Sequence, residues 1–450
     1  MFGRLIGLVV LVFLGGALAS WLAAQPGMLA FEWFGWQVEM RTSLAVAILV
    51  FTAVALLFVD RLLRGLLNLP AWLGRNLARR RTDSGHRALA LGLMAVSAGE
   101  PDEARRQAAR AQRLLSAPHL TDLLSAQAAH LAGDSQAAGR YFTSLIQDSD
   151  TAFLGHIGLA RLALEDDRTD DALASARQAL GLRPKSAMAA RQVLALEAER
   201  GNWAAAMPAL QIVASDRDRS DIDDAIIARQ RAALFYLDTL DQAEANPNVK
   251  DTAKDQITRL NAALTAWPEF WPAALRLADL YEESGTPKKA IKPLEKSFRA
   301  MPHTDVAARL AELWQVNEGS QISRLLRLIP ADATDVALAD EGRCVVAEHA
   351  LMKGLIGEAR RLLEDISASR RDVAAWRLIG QIAREDEDDD SVTAALQQAG
   401  DAPRSRRWQC TSCQLVHDEW ASHCGGCTGF ATLGWQRPDG ATPMLAAKVE

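Results

Sequence analysis

Through the middle of the chain, apolar and small residues recur at helical spacing, and the breaks between helices fall at a fixed interval. Gly99, Gly133, Asp167 and Gly201 stand 34 residues apart. Five residues after each comes Ala104, Ala138, Ala172 or Ala206, and seven before each stands Gly92, Ala126, Ala160 or Leu194. Helices that cross closely need small side chains at the contact, so two columns of them in phase predict stacked helical hairpins.

An interval of 34 is the tetratricopeptide period. It breaks at the polar run Ser215 to Asp224 and resumes imperfectly. Gly285 has Ala278, Tyr281, Ala290 and Pro302 in step with it, and Gly354 has Ala347 and Ala359. The pattern predicts a first arm of repeats at 83–214, irregular connecting helices at 215–267 and a second arm at 268–400, which Trp267, Pro268, Trp271 and Pro272 open with a turn. The acidic string Glu385 to Asp390 reads as a solvated break inside the last repeat.

The N-terminal pattern is different. Leu5 to Ala24 is a run of twenty uncharged residues and Ser43 to Val59 one of seventeen, lengths that suit a two-span membrane hairpin over 1–60. Between them MLAFEWFGWQVEM, from Met28, alternates about Gly35 and predicts a small β-hairpin. Arg61, Arg64, Arg75, Arg79, Arg80 and Arg81 follow the second run. By the retention of basic residues inside, both termini and the repeats are expected on the cytoplasmic side of a membrane. The segment 61–82 is basic and amphipathic, able to lie on anionic membrane lipid.

Composition fits a helical protein: 49% of residues are hydrophobic and only 6% aromatic, which disfavours a β-sandwich. The net charge of −6 gives no general reason to expect nucleic acid as a partner. Four of the five cysteines, Cys410, Cys413, Cys424 and Cys427, form C-x2-C-x10-C-x2-C within 401–450. Two such turns supply four thiolates to one ion, so a structural Zn2+ ribbon is expected; Fe of the rubredoxin type has the same four-sulfur tetrahedron and stays open as the alternative. A closed shell leaves no position for a substrate. His417 and His423 are expected to face solvent or support the thiolates, and Cys344 to be buried. The remaining histidines, including His303 and His349, are scattered, and no Walker loop, dinucleotide fingerprint, H-E-x-x-H or G-x-S-x-G occurs. An enzyme is therefore not expected, and no catalytic residue is assigned.

On the hairpin from Leu5 to Val59, with its GWQVEM segment, and the phased repeats from Arg87, the chain resembles HemY-type membrane proteins associated with haem biosynthesis. The cysteine tail is similar to forms of that family ending in a zinc-ribbon or rubredoxin-like module. A looser resemblance is to LapB-type envelope and lipopolysaccharide assembly proteins, which have one anchoring span. The first resemblance implies an all-α, membrane-anchored α-solenoid that organises late haem-biosynthesis enzymes as protein partners. Two alternatives stay open: a LapB-like regulator, and a tetrapyrrole-binding carrier or oxidoreductase.

Overall fold

The structure, a computed structural model, describes residues 28–33, 35–216, 221–245, 250–329 and 336–438, with Ala17, Ser20 and Trp21. Two compact units divide the chain, Met1–Ala138 and Gly139–Glu450. The expected first span, Leu5 to Ala24, lies outside the described residues apart from those three positions.

In the first unit, β1 (Met28–Trp33) and β2 (Trp36–Arg41) pair antiparallel, with Trp33 opposite Trp36 across a turn in which Gly35 takes φ 84°. The hairpin expected from the alternation about Gly35 is present. It leads into α1 (Thr42–Ala98), a continuous helix of 57 residues. The expected second span is the first part of this helix, and Leu49, Phe51, Leu56, Leu57 and Phe58 are all exposed on it. Among the described residues no helix is long and apolar enough to cross a membrane. The uncharged stretch Thr42 to Val59 rises about 27 Å against a hydrocarbon core of about 30 Å, and Asp60 ends it. The end of α1 packs on α2 (Pro101–Leu114) and α3 (Pro118–Leu131) as helix pairs.

The boundary falls within α4 (Ser135–Ile146), and the second unit goes on with α5 (Ala152–Glu165), α6 (Thr169–Leu182), α7 (Ala187–Glu199), α8 (Trp203–Ala214), α9 (Asp221–Ala245) and α10 (Lys250–Ala266). These continue as α11 (Trp271–Glu283), α12 (Ile291–Ala300), α13 (Thr304–Trp314), α14 (Glu318–Leu328), α15 (Val336–Met352), α16 (Ile356–Glu364), α17 (Val373–Glu385) and α18 (Asp389–Asp401). A small sheet of β3 (Arg407–Cys410), β4 (Val416–His417) and β5 (Leu433–Gln436) closes it, in the order β4-β3-β5. Adjacent helices pack in pairs, α5 on α6, α7 on α8, α9 on α10 and α17 on α18.

The breakers work as left-handed helix caps. Gly99, Gly133, Asp167, Gly201, Gly285 and Gly354 all have φ between 56° and 74°. After each, the next amide bonds back to the carbonyl five residues earlier, as Arg168 N donates to Ala163 O at 2.7 Å and Leu355 N to Ala350 O at 2.9 Å. This closure satisfies carbonyls that the helix end leaves open. The acidic string contains a seventh such cap that periodicity did not reveal, because Glu387 takes φ 56° and Asp388 N donates to Ala383 O at 2.9 Å. Asp388 then caps α18, its carboxylate accepting from Ser391 N at 3.1 Å.

The small-residue columns lie at the crossings. Ala104, Ala138, Ala172, Ala206, Ala290 and Ala359 are fully buried, as are Ala126, Ala160, Ala278 and Ala347. Closest of all is Gly158 on α5, where a methyl would fall 2.2 Å from Phe142 of α4. Gly158→Ala should therefore lower stability by about 1–3 kcal/mol through overpacking. Gly181→Ala, late in α6 with nothing within 4 Å, should raise it by about 0.5–1 kcal/mol. Urea midpoints of the two variants check both signs.

Candidate metal centre

Each C-x2-C pair sits on a tight turn whose amides face its first sulfur. At the first, β3 delivers Cys410, Gln414 N donates to Cys410 O at 2.9 Å, and the amides of Ser412 and Cys413 lie 3.4 and 3.5 Å from Cys410 Sγ. The second repeats the arrangement: Thr428 N donates to Cys424 O at 2.9 Å and Gly426 N lies 3.4 Å from Cys424 Sγ. Gln414 and Thr428 both take positive φ, 64° and 56°, which turns the chain away after each pair. Gly426 gives the two turns room, since a methyl there would meet Leu415 at 2.9 Å.

The four sulfurs converge. All lie within 4.8 Å of one another, with Cys410 to Cys427 at 3.6 Å and Cys413 to Cys424 at 3.5 Å. A tetrahedral ion with metal–sulfur bonds of about 2.3 Å needs sulfurs about 3.8 Å apart, so the donor set fits a four-thiolate ion such as zinc or iron. Cys410 and Cys424 are buried and Cys413 and Cys427 exposed.

The thiols differ electrostatically. Burial works to raise Cys410, but the Thr432 hydroxyl at 3.2 Å and the two turn amides bring it down to about 6. Burial pushes Cys424 up to about 12 against the help of its own turn amides. Four neighbouring thiolates repel, and a bound cation is what allows all of them to ionise.

The ribbon packs against the helices. Trp408, Cys410, Cys424 and Leu433 share one buried cluster with α10, α11 and the helices that follow. Trp408 contacts Trp267 edge-on at 6.1 Å between ring centroids and Trp271 at 6.0 Å. Trp420 packs on Phe270 at 4.9 Å and Tyr236 at 5.6 Å, while Phe430 stacks on Trp203 at 5.8 Å. Aromatic pairs contribute about 0.5–1.5 kcal/mol each beyond area burial. They outweigh an exposed ion pair such as Arg407 with Asp418 at 2.8 Å, which is worth about 0–1 kcal/mol. Polar contacts fix the orientation: the indole of Trp435 donates to Glu341 at 3.2 Å, Arg406 pairs with Glu341 at 2.8 Å, and Ala374 N donates to Ser405 at 2.9 Å.

The expected supporting residues fall on both sides of this contact. His417 Nε2 is 3.4 Å from Cys424 Sγ. His423 packs instead against Phe430 and Trp203, at 5.4 and 6.4 Å between ring centroids. Cys344 is half-buried against the core, and burial drives its thiol well above the usual range. Unanticipated were the landing residues. Trp267 and Trp271 read as turn formers in the sequence, yet with Trp203 they receive the ribbon, and His303 stacks on Trp271 at 3.9 Å. Their signal was composition, because tryptophan is rare in the alanine-rich crossings and here recurs opposite a ribbon with three of its own.

Helix pairs with left-handed caps, closed by a ribbon with four convergent thiols, define a helical-repeat protein with a module able to hold a metal ion. Residues 27–133 match the family model described as HemY protein N-terminus. The chain is thus similar to the HemY family over its N-terminal part, ahead of helix pairs and a four-cysteine module. It is 24% identical over 442 residues to the "Probable magnetosome protein Mms48" of Magnetospirillum gryphiswaldense, spanning 96% of this chain and 93% of that one. Among solved structures, a tetratricopeptide repeat protein from Parabacteroides merdae is 13% identical over 70% of this chain and 99% of its own, with a TM-score of 0.30. A MamA fragment from Desulfovibrio magneticus is 19% identical over 40% of this chain and 93% of its own, at 0.23. Those scores are low, and the fold reading rests on the helix pairs themselves.

Cys424→Ser should lose the ion and also loosen the helices, because the ribbon shares their core. Metal analysis by mass spectrometry should fall from about one ion per chain to far below one, and tryptophan emission should shift to longer wavelength as Trp408 gains water.

Proposed function

We propose that this protein is a membrane-anchored, non-catalytic scaffold that holds protein partners on its helix pairs at the cytoplasmic face of a bacterial inner membrane, organising late steps of haem biosynthesis. The observation that carries the reading is α1: one helix runs from an exposed apolar stretch directly into the first repeat pair. An exposed apolar surface of that extent is costly in water and favourable in lipid. The uncharged run Leu5 to Ala24 would supply the companion span of a hairpin. Behind it, the repeats at 83–214 and 268–400 would present two arms of partner-binding surface, joined by 215–267.

In this reading Cys410, Cys413, Cys424 and Cys427 hold a structural Zn2+. The bound ion would neutralise the thiolates and lock the ribbon onto Trp267 and Trp271, and a closed shell performs no hydrolysis. The haem assignment is supported by the HemY N-terminal match over residues 27–133. Affinity purification of the full chain from solubilised membranes should retrieve late haem-pathway enzymes; retrieving only lipopolysaccharide-assembly proteins would overturn the pathway assignment. Zinc in the purified protein, with no Soret band on haem titration, is expected. A Soret band or iron-thiolate absorption would favour a tetrapyrrole carrier or redox role instead.

A further inference from the structure

We propose that the arginine-lined groove between α1 and α2 binds an acidic polypeptide segment of a partner protein. This rests on the scaffold reading and gives one of its surfaces a chemistry. The groove has a volume of about 870 Å³ and is lined by Arg80 and Arg81 of α1 and by Arg105, Arg106, Arg110 and Arg113 of α2. No aspartate or glutamate lines it. Arg106 and Arg105 have partners outside the lining, Glu103 at 2.9 Å and Asp134 at 3.5 Å.

Arg106, Arg110 and Arg113 repeat at helical spacing along one face of α2, a stripe about 10 Å long. An extended chain places alternate side chains on one face about 6.6 Å apart, so two or three carboxylates of such a segment span the stripe. Guanidinium groups accept carboxylates through paired N–H donors, which a partner with scattered single charges does not exploit. Ala109 and Leu114 add an apolar strip to the lining.

Two other anions fit less well. Arg80 lies 21 residues beyond Val59 on a continuous helix, about 32 Å from the end of the apolar stretch. That is several times the physiological screening length of about 8 Å, so headgroups at the anchoring stretch are out of reach along the helix axis. Single-stranded nucleic acid is held by aromatic stacking as well as charge, and no aromatic side chain lines the groove.

The test uses the full chain in zwitterionic detergent and a fluorescein-labelled peptide of alternating Glu and Ser, read by anisotropy. Phosphatidylglycerol vesicles and oligothymidylate serve as competing probes. Peptide binding that weakens steeply with salt is expected. The double variant Arg81→Glu, Arg110→Glu should weaken it by about tenfold or more, the loss of two charge-assisted contacts, while Lys292→Glu, an exposed reversal elsewhere, should leave it unchanged. Circular dichroism of the double variant separates lost binding from lost folding, and the milder Arg81→Gln, Arg110→Gln pair repeats the measurement if it unfolds. Equal peptide binding by the folded variant, or binding of vesicles or oligonucleotide without the peptide, overturns the proposal. If the peptide fails while partners still co-purify with the chain, the groove assignment falls and the scaffold reading stands.

Discussion

The closeness of helix crossings governs this protein. Ala104, Ala126, Ala160, Ala172, Ala206 and their later counterparts leave almost no side chain between paired helices, and Gly158 leaves none. Backbones so close gain dispersion contacts along their length, and they tolerate few larger residues at the same points. Such a crossing also needs the chain to reverse in few residues. The left-handed caps provide that reversal, and their paired backbone bonds to the preceding turn end each helix at a defined place. Spacing, capping and small-residue columns are three expressions of one geometric requirement.

A second requirement acts at the C-terminus. Four sulfurs within 4.8 Å are a poor arrangement for neutral packing and a good one for a cation, and the turn amides already point at Cys410 and Cys424. Because Cys410, Cys424 and Trp408 belong to the same buried cluster as α11 and α17, an ion held by these cysteines would link its occupancy to the order of the surrounding helices. The aromatic shelf of Trp203, Phe270 and Trp271 seats the ribbon against the helices.

What the sequence disclosed follows from which interactions are local. The helix pairs were readable because cap and crossing positions lie at fixed offsets within one repeat, and the four cysteines because each pair is a short turn. Glu387 escaped notice since an acidic run conceals a cap normally announced by glycine or asparagine. The ribbon's seat was hidden for a different reason. Trp267 and Trp408 are 141 positions apart in the chain, and no periodicity relates an isolated tryptophan to its distant partner. The alternation about Gly35 was visible because strand pairing across a tight turn is local too.

The length of α1 carries a consequence of another kind. A helix turns by about 100° for each residue, so a continuous one couples distance to angle. Val59 and the paired end of α1 are joined by helix alone, and the direction in which the first repeat faces is therefore set by residue count. Inserting one residue near residue 70 would swing that face by roughly a quarter turn while moving it only about 1.5 Å outward. The helix acts as a rotational index, and its length is constrained by bearing more tightly than by reach.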